Sequence, residues 1–314
     1  MKKDEILKKS FKDLLKNSRK SDDTSDPIDI LITDKLAMVV TRLFIRIGIP
    51  ANAVSIFSFL FSLIGSFFIV PDNLEYNLIG IAMAIFAVIL DNSDGQIARL
   101  TDTASDMGRI LDGFCDSLGS LSMYIAISLR LMNEPVPFLD GKTWGVWIWI
   151  LMAVYYSFFY PDQCRMSDYY RNVHLYFLNP KKSELTRSED IISRIRAFNR
   201  KTPLHERIFQ NAYYLWTVLQ EKETPKLQQL FDIIKKRGEV PENIAKKYIE
   251  KSKKYINLTN VLTYYLRAFT MYLMIVLHIY AYFFPFAIIV LGIIEKYMII
   301  RYEAIAKELA AEVL

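Results

Sequence analysis

Cysteine is almost absent from this chain, with 2 Cys among 314 residues. So few thiols exclude a disulfide-stapled scaffold. Glycine and proline, at 11 residues each, are too scarce for a collagen-like or low-complexity protein. Lys and Arg are not interleaved with aromatic residues in a soluble basic patch, so the pattern argues against a nucleic-acid partner.

Apolar residues are abundant instead. Hydrophobic side chains make up 52% of the chain and aromatic ones 14%, while 23% of the residues are still charged. This combination is typical of a membrane bundle that carries a polar appendage. The net charge of +5 fits a protein whose basic residues face the cytoplasmic surface of a lipid bilayer.

Six apolar runs predict an all-α, six-helix transmembrane bundle. A helix needs about 20 mostly apolar residues to cross a bilayer core of about 30 Å. The runs that approach this length lie at residues 53–70, 76–90, 109–132, 143–160, 259–283 and 285–303. The second run continues as a predicted helix through residue 100.

The loops indicate which way the bundle faces. Residues 71–76 and 133–142 are short and nearly free of Lys and Arg, whereas the segments on the opposite side hold most of the basic residues. The positive-inside rule then places both termini in the cytoplasm. The predicted organisation is a cytosolic and interfacial segment at 1–50, spans 1–4 at 51–160, a helical cytoplasmic insert at 161–258, and spans 5–6 with the C-terminus at 259–314.

The segment from Leu90 to Ser117 carries four aspartates in two pairs. Asp91 and Asp94 are three residues apart, and Asp112 and Asp116 are four apart, so each pair shares one face of a helix. Both pairs fall at the cytoplasmic ends of consecutive antiparallel spans joined by a short turn. We therefore expect the two acidic faces to converge.

Four converging carboxylates repel one another unless a cation neutralises them. Oxygen ligands suit Mg²⁺ or Mn²⁺, and two such ions at a cytoplasmic face suit a phosphate or pyrophosphate ligand. Gly95 and Ala98 leave room for that ligand, Gly108 permits close helix approach, and Arg99 offers a positive fork for phosphate.

This string resembles the signature of the CDP-alcohol phosphotransferases, D-x2-D-G-x2-A-R-x8-G-x3-D-x3-D. It matches at every fixed position over residues 91–116. The resemblance implies an integral membrane enzyme of phospholipid synthesis, in which an acceptor hydroxyl attacks a CDP-linked donor and CMP leaves. It also implies two divalent metal ions and a homodimer.

The resemblance implies a role for each matched position. Asp91, Asp94 and Asp112 would hold metal, and Asp116 would both contact metal and take the proton of the acceptor hydroxyl. The residues implied to contact the CDP-linked donor are Gly95, Ala98, Arg99, Ser105 and Gly108, together with Asn52 and Ser55 from a P-N-x-x-T-like element at the start of the first span.

Charged residues interrupt two of the apolar runs, and each interruption suggests a role in binding or packing. Arg267 lies within the fifth run, where a buried arginine is a candidate for binding an acceptor or donor phosphate, or else snorkels to the surface. Glu295 and Lys296 interrupt the sixth run, and we interpret them as an ion pair within the bundle or a dimer contact.

Several functions stay open at this point. The most favoured donor is CDP-diacylglycerol; alternatively, a CDP-linked head group is transferred to diacylglycerol. A Mg²⁺-dependent membrane prenyltransferase is less favoured because clustered D-D-x-x-D runs are missing from the sequence. A cation transporter is less favoured because its acids should lie near the middle of the bilayer. No motif distinguishes the acceptor alcohols.

Overall fold

A computed structural model of the chain describes residues 3–18, 29–137, 139–180, 183, 185–199 and 202–313. All named elements within those residues are helices, and the described part contains no strand beyond one isolated bridge between Pro135 and Thr143. The predicted all-α fold class is therefore confirmed.

The helices follow one another through short connections. The N-terminal half contains α1 (Lys3–Lys8), α2 (Phe11–Ser18), α3 (Asp34–Ile47), α4 (Ala51–Ile69), α5 (Leu74–Thr101), α6 (Asp106–Leu131) and α7 (Trp147–Val154). The C-terminal half contains α8 (Tyr160–Leu178), α9 (Ser188–Arg196), α10 (Leu204–Glu223), α11 (Pro225–Arg237), α12 (Glu242–Ser252), α13 (Ile256–Val261), α14 (Tyr264–Val276) and α15 (Phe283–Val313).

The first three helices pack against α4 and α5. Helix α3 ends at Gly48, which adopts a left-handed φ of 91° and donates its amide N–H to the carbonyl of Phe44. The buried apolar cluster that joins these helices consists of Ile6, Leu14, Met38, Ile45, Val54, Leu90, Ile97 and Leu100. Helix α3 thus occupies the predicted interfacial segment, while residues 19–28 of the N-terminal segment lie outside the described residues.

Small residues let α4 approach α5 and α6 closely. A Cβ atom added at Gly65 would lie 2.9 Å from the carbonyl oxygen of Gly80. Conversely, a Cβ atom added at Gly80 would lie 2.6 Å from the carbonyl oxygen of Gly65. On the other side of α4, the Ser62 hydroxyl donates to the carbonyl of Gly119 at 3.2 Å. Helices α4 and α5 are therefore packed backbone against backbone, and α4 reaches the backbone of α6 through a serine side chain.

Among the described residues, four helices are long and apolar enough to cross a membrane. They are Ala51–Ile69, Leu74–Thr101, Met107–Leu131 and Tyr280–Val313, which correspond to the predicted spans 1, 2, 3 and 6. The structure thus supports a multi-pass membrane protein with four candidate spans, and the count of six stays a prediction.

The predicted spans 4 and 5 are not among these four long apolar helices. The helical run that begins at Trp147 passes through a π-helical segment, Tyr155–Phe159, and continues as α8 instead of ending at residue 160. In the fifth run, α14 has only 13 residues, and the chain beyond it turns at His278, which has a positive φ of 55°. Thirteen residues extend about 20 Å, which is short for a bilayer core of about 30 Å.

The chain forms two compact units. One comprises residues 1–156 and 270–284, and the other comprises residues 157–269 and 285–314. Residues of the predicted signature, 91–116, all belong to the first unit. The whole range of the polar insert, residues 161–258, belongs to the second unit, together with the larger part of α15.

An ion-pair network connects α8, α10 and α15 within the second unit. Glu223 accepts hydrogen bonds from Arg165 at 2.7 Å and from Lys296 at 3.0 Å, and Lys296 lies 3.6 Å from Glu295. Burial would raise the pKa of the Glu223 carboxyl, but the two cations outweigh burial and hold that pKa below its ordinary value. The expected ion pair of Glu295 and Lys296 within the bundle is confirmed.

Candidate active site

Three of the four predicted aspartates converge at the ends of α5 and α6. One carboxylate oxygen from each of Asp91, Asp112 and Asp116 lies within 4.8 Å of the others. Helix α5 ends at Thr101 and α6 begins at Asp106, so a short link turns the chain back on itself. The predicted convergence of two acidic helix faces is therefore present in the structure.

Asp94 lies beside this cluster but is held differently. Its side chain is buried, and its carboxylate accepts a hydrogen bond from the hydroxyl of Ser55 on α4. The group of converging oxygens described above does not include it. Ser55 thus anchors the second aspartate of the signature to a helix that the signature itself does not contain.

The link between α5 and α6 is ordered by two caps. Asp102 ends α5 in the left-handed conformation, with φ of 58°. Ser105 begins α6 as its N-cap, and its hydroxyl accepts a hydrogen bond from the amide of Gly108 at 3.0 Å. These caps set the direction in which Asp112 and Asp116 follow.

Gly108 also makes room for α4. A Cβ atom added there would lie 3.1 Å from the hydroxyl oxygen of Ser105 and 3.3 Å from the amide oxygen of Asn52. Three residues expected in the donor site, namely Asn52, Ser105 and Gly108, are therefore brought together at the start of α6.

Arg99 lies along its own helix because Gly95 has no side chain. Its two terminal guanidinium nitrogens would be 3.1 and 3.2 Å from a Cβ atom at Gly95. The guanidinium also donates a hydrogen bond to the carbonyl of Ser18, the last residue of α2. Ala98 is the neighbouring small residue on α5. Any larger residue at position 95 would push the guanidinium away.

The arrangement of these helices agrees with a comparison with known proteins. Residues 49–160 match the family model described as CDP-alcohol phosphatidyltransferase. Residues 49–160 are a CDP-alcohol phosphatidyltransferase domain. The matched region begins just before α4 and includes every aspartate of the signature.

Part of this chain is also similar to a curated protein. It is a ceramide phosphoethanolamine synthase of Drosophila melanogaster, with 26% identity over 108 residues. The similar region covers 30% of this chain and 28% of the fly protein. The chain therefore matches less than a third of the length of that relative.

The carboxylate oxygens that converge within residues 49–160 fit a divalent cation as ligands. Oxygen atoms that share one Mg²⁺ lie about 3–4 Å apart, because each lies about 2.1 Å from the ion. The observed limit of 4.8 Å between the three carboxylate oxygens is within reach of that geometry after small rotations of the side chains. Carboxylate oxygens are also the ligands that Mg²⁺ and Mn²⁺ prefer.

Arg267 belongs to the second unit and is fully buried, with 1% of its surface exposed. Its guanidinium donates to the side-chain oxygen of Gln163 and to the carbonyl of Leu262, both at 3.0 Å. It also lies over the ring of Tyr160 at 4.6 Å. These contacts favour a structural role, and its predicted contact with an acceptor stays untested.

Sequence reasoning missed the polar contacts on the opposite face of the signature helix. The Thr41 hydroxyl donates to the Gln96 side-chain oxygen at 3.0 Å, and Ser93 donates to the carbonyl of Ala37 at 3.1 Å. Ser93 and Gln96 occupy variable positions of the signature, but they are three residues apart and so share a face of α5. That spacing was the available signal that α3 packs against α5.

Proposed function

We propose that this protein is a membrane-bound CDP-alcohol phosphotransferase of lipid synthesis. The hydroxyl oxygen of an acceptor alcohol forms a bond to the phosphorus that carries the donor alcohol. The bond from that phosphorus to the CMP oxygen breaks, and CMP leaves. The observation that carries this proposal is the convergence of Asp91, Asp112 and Asp116 within the family domain.

Asp116 is proposed as the general base, because it is the most exposed member of the cluster and can meet an incoming hydroxyl. Asp91 and Asp112 would hold the metal together with Asp116, and Asp94 would complete the set from its anchored position beside Ser55. Two divalent ions, Mg²⁺ or Mn²⁺, bound there would neutralise the pyrophosphate and stabilise the departing CMP.

The donor is proposed to bind over α5 and the start of α6. Arg99 offers a planar positive group for phosphate, and Gly95 leaves the helix backbone open beneath it. Asn52, Ser105 and Gly108 would contact the donor at the other end of the same surface. Ala98 and Ser55 would contribute by keeping the space open and by orienting Asp94.

Two donors fit this chemistry. CDP-diacylglycerol would donate a phosphatidyl group to a polar alcohol, which is the reaction that the family's name describes. In the second candidate function, a CDP-linked head group is transferred to a lipid alcohol. The name of the fly relative, ceramide phosphoethanolamine synthase, favours this second reaction.

The proposed topology has six spans, with both termini and the active site on the cytoplasmic side. The four long apolar helices support the multi-pass arrangement, and the short loops at 71–76 and 133–142, poor in basic residues, support the orientation. A homodimer is proposed on the basis of the resemblance alone.

The test is CMP release by the purified full-length protein in lipid nanodiscs. CDP-diacylglycerol with polar alcohols and CDP-ethanolamine with diacylglycerol or ceramide are supplied separately, each with Mg²⁺, Mn²⁺ or EDTA. We expect release with one donor class and only with a divalent ion. In Asp116→Asn the rate should fall about 10²–10⁴-fold, which is the usual contribution of a general base.

Asp102→Asn is the matched control. It removes the same charge near the site, and Asn tolerates the left-handed backbone that Asp102 adopts. This variant should keep the rate of the unaltered protein. Absence of CMP with every donor, or equal release by Asp116→Asn, would contradict the proposed reaction.

A further inference from the structure

Helix α10 of the polar insert exposes an apolar stripe. Leu204, Ile208, Leu215 and Leu219 are 72%, 62%, 59% and 41% exposed, respectively. Their spacings of four, seven and four residues place them on one face of the helix. The stripe extends about 22 Å along the helix axis, because each residue adds about 1.5 Å. We refer to these four residues as the α10 stripe.

The side of α10 that faces the protein combines two buried polar residues with half-buried aromatic ones such as Trp216. Thr217 and Gln220 are both buried, and the side-chain amide of Gln220 donates to the carbonyl of Arg165 on α8 at 3.2 Å. Thr217 donates to the carbonyl of Tyr213. The helix therefore keeps the leucines and the isoleucine of the stripe outside the protein, whereas a helix that faces water turns such residues towards the core.

Two neighbouring helices of the insert have the ordinary polarity. Helix α11 buries Leu230 and Ile234, and α12 buries Ile244 and Tyr248. The outward-facing apolar stripe thus belongs to α10 and is not a general property of the insert. An apolar stripe of this kind is stable when its surroundings are themselves apolar.

The C-terminal end of α10 lies against α15 at a point where α15 still exposes apolar side chains. Glu223 accepts a hydrogen bond from Lys296 at 3.0 Å. On α15, Ile293 and Ile300 lie on either side of Lys296 and are each 65% exposed. Since α15 is a candidate membrane span, its exposed isoleucines mark the lipid-facing surface. The C-terminal end of α10 therefore contacts α15 at the level of the lipid.

We propose that α10 lies in the headgroup region of the same bilayer, with the α10 stripe in contact with the upper acyl chains. Lys222 follows Leu219 by three residues, so it lies on the same face and is exposed there. A lysine at the end of such a stripe can reach lipid phosphates while its stem stays in apolar surroundings. This proposal rests on the membrane topology of the proposed function, since it requires α15 to be a span.

The test uses the full-length protein in nanodiscs that contain a phospholipid with a diazirine on its upper acyl chain. After illumination, peptides that carry lipid are mapped by mass spectrometry. Labelling is expected on the α10 stripe and on α15 near Ile289 and Ile293, but not on α12. An unlabelled α10 beside a labelled α15 would overturn the proposal. A second copy of the chain packed on the α10 stripe would give that result, because it would keep the lipid away.

The proposal and the topology on which it rests fail in different ways. If α15 itself takes no label, the assignment of α15 as a span is wrong, and the proposed topology fails with it. If α15 is labelled and α10 is not, only the position of α10 is wrong. The α12 peptide reports non-specific labelling in every sample.

A pair of variants tests the stripe directly. Ile208→Glu places a charge within the α10 stripe, and its labelling should fall about fivefold because a charged group leaves the acyl boundary. Gln210→Glu adds the same charge on the other side of the same helix, since position 210 is two residues after Ile208 and six after Leu204, and this variant should retain labelling. Equal labelling in the two variants would show that the stripe does not contact lipid. Labelling of α15 in each variant confirms that the protein is folded and inserted.

Discussion

At the scale of single residues, the site depends on carboxylates from two consecutive helices and on one hydroxyl from a third helix. Asp91, Asp112 and Asp116 converge because two helix faces with spacings of three and four residues turn towards each other. Spacing could not show that Asp94 is held by Ser55, since that hydrogen bond joins residues 39 positions apart on different helices. Ser55 is therefore expected to position a metal ligand without touching the reacting atoms.

Ser55→Ala tests that positioning. The variant removes the hydroxyl that orients Asp94, so the Mg²⁺ concentration needed for half-maximal CMP release should rise about 10–100-fold, as is typical when a partner of a metal ligand is lost. Ser55→Thr restores a hydroxyl and should recover most of the affinity. Ser66→Ala, a matched change further along α4 at a serine that donates to the carbonyl of Leu63, should leave the metal dependence unchanged. A metal dependence unaltered in Ser55→Ala would contradict the assigned role.

At the scale of elements, α4 and the first signature helix, α5, are held together by a close contact between their backbones. Gly65 and Gly80 meet where α4 crosses α5, and neither contact leaves space for a methyl group. Hydropathy predicted that these segments are apolar helices but not where they cross. The predicted fourth and fifth spans differ for a local reason, since a π-helical segment and the turn at His278 interrupt apolar runs that look continuous.

Gly80→Ala is expected to destabilise this crossing. Its methyl group would lie 2.6 Å from the carbonyl oxygen of Gly65, and overpacking of this kind costs about 1–3 kcal/mol. The measurement is the midpoint of thermal unfolding in detergent, followed by tryptophan fluorescence. Gly292→Ala is the matched control in α15, where nothing lies within 4 Å of the added atom. A Gly80→Ala protein as stable as the control would show that the helices separate more easily than the structure indicates.

At the scale of the whole molecule, the acidic cluster couples metal binding to stability. Three carboxylates held close together repel one another in the metal-free protein, and unfolding relieves that repulsion. A cation that binds only the folded chain shifts the equilibrium towards the folded state. CMP release at the site and the thermal stability of the first compact unit should therefore depend on the same ion.

Mn²⁺ should raise the midpoint of thermal unfolding by roughly 5 °C at about 100 times its Kd, since binding then contributes about 2.7 kcal/mol. In Asp91→Asn the response to Mn²⁺ should be lost, while the metal-free midpoint should be equal to or above that of the unaltered protein because one like charge is gone. Asp102→Asn should respond as the unaltered protein does. A full response to Mn²⁺ in Asp91→Asn would place the ion elsewhere.

The sequence by itself determined the all-α class, the four long apolar helices and the acidic signature, because each depends on the period of one helix or on a short turn. Only the tertiary structure decided that Ser55 holds Asp94, that α4 crosses α5 at two glycines, and that α10 turns its leucines outwards. Those features join residues far apart in the chain, and no local periodicity records which distant surface a helix face will meet.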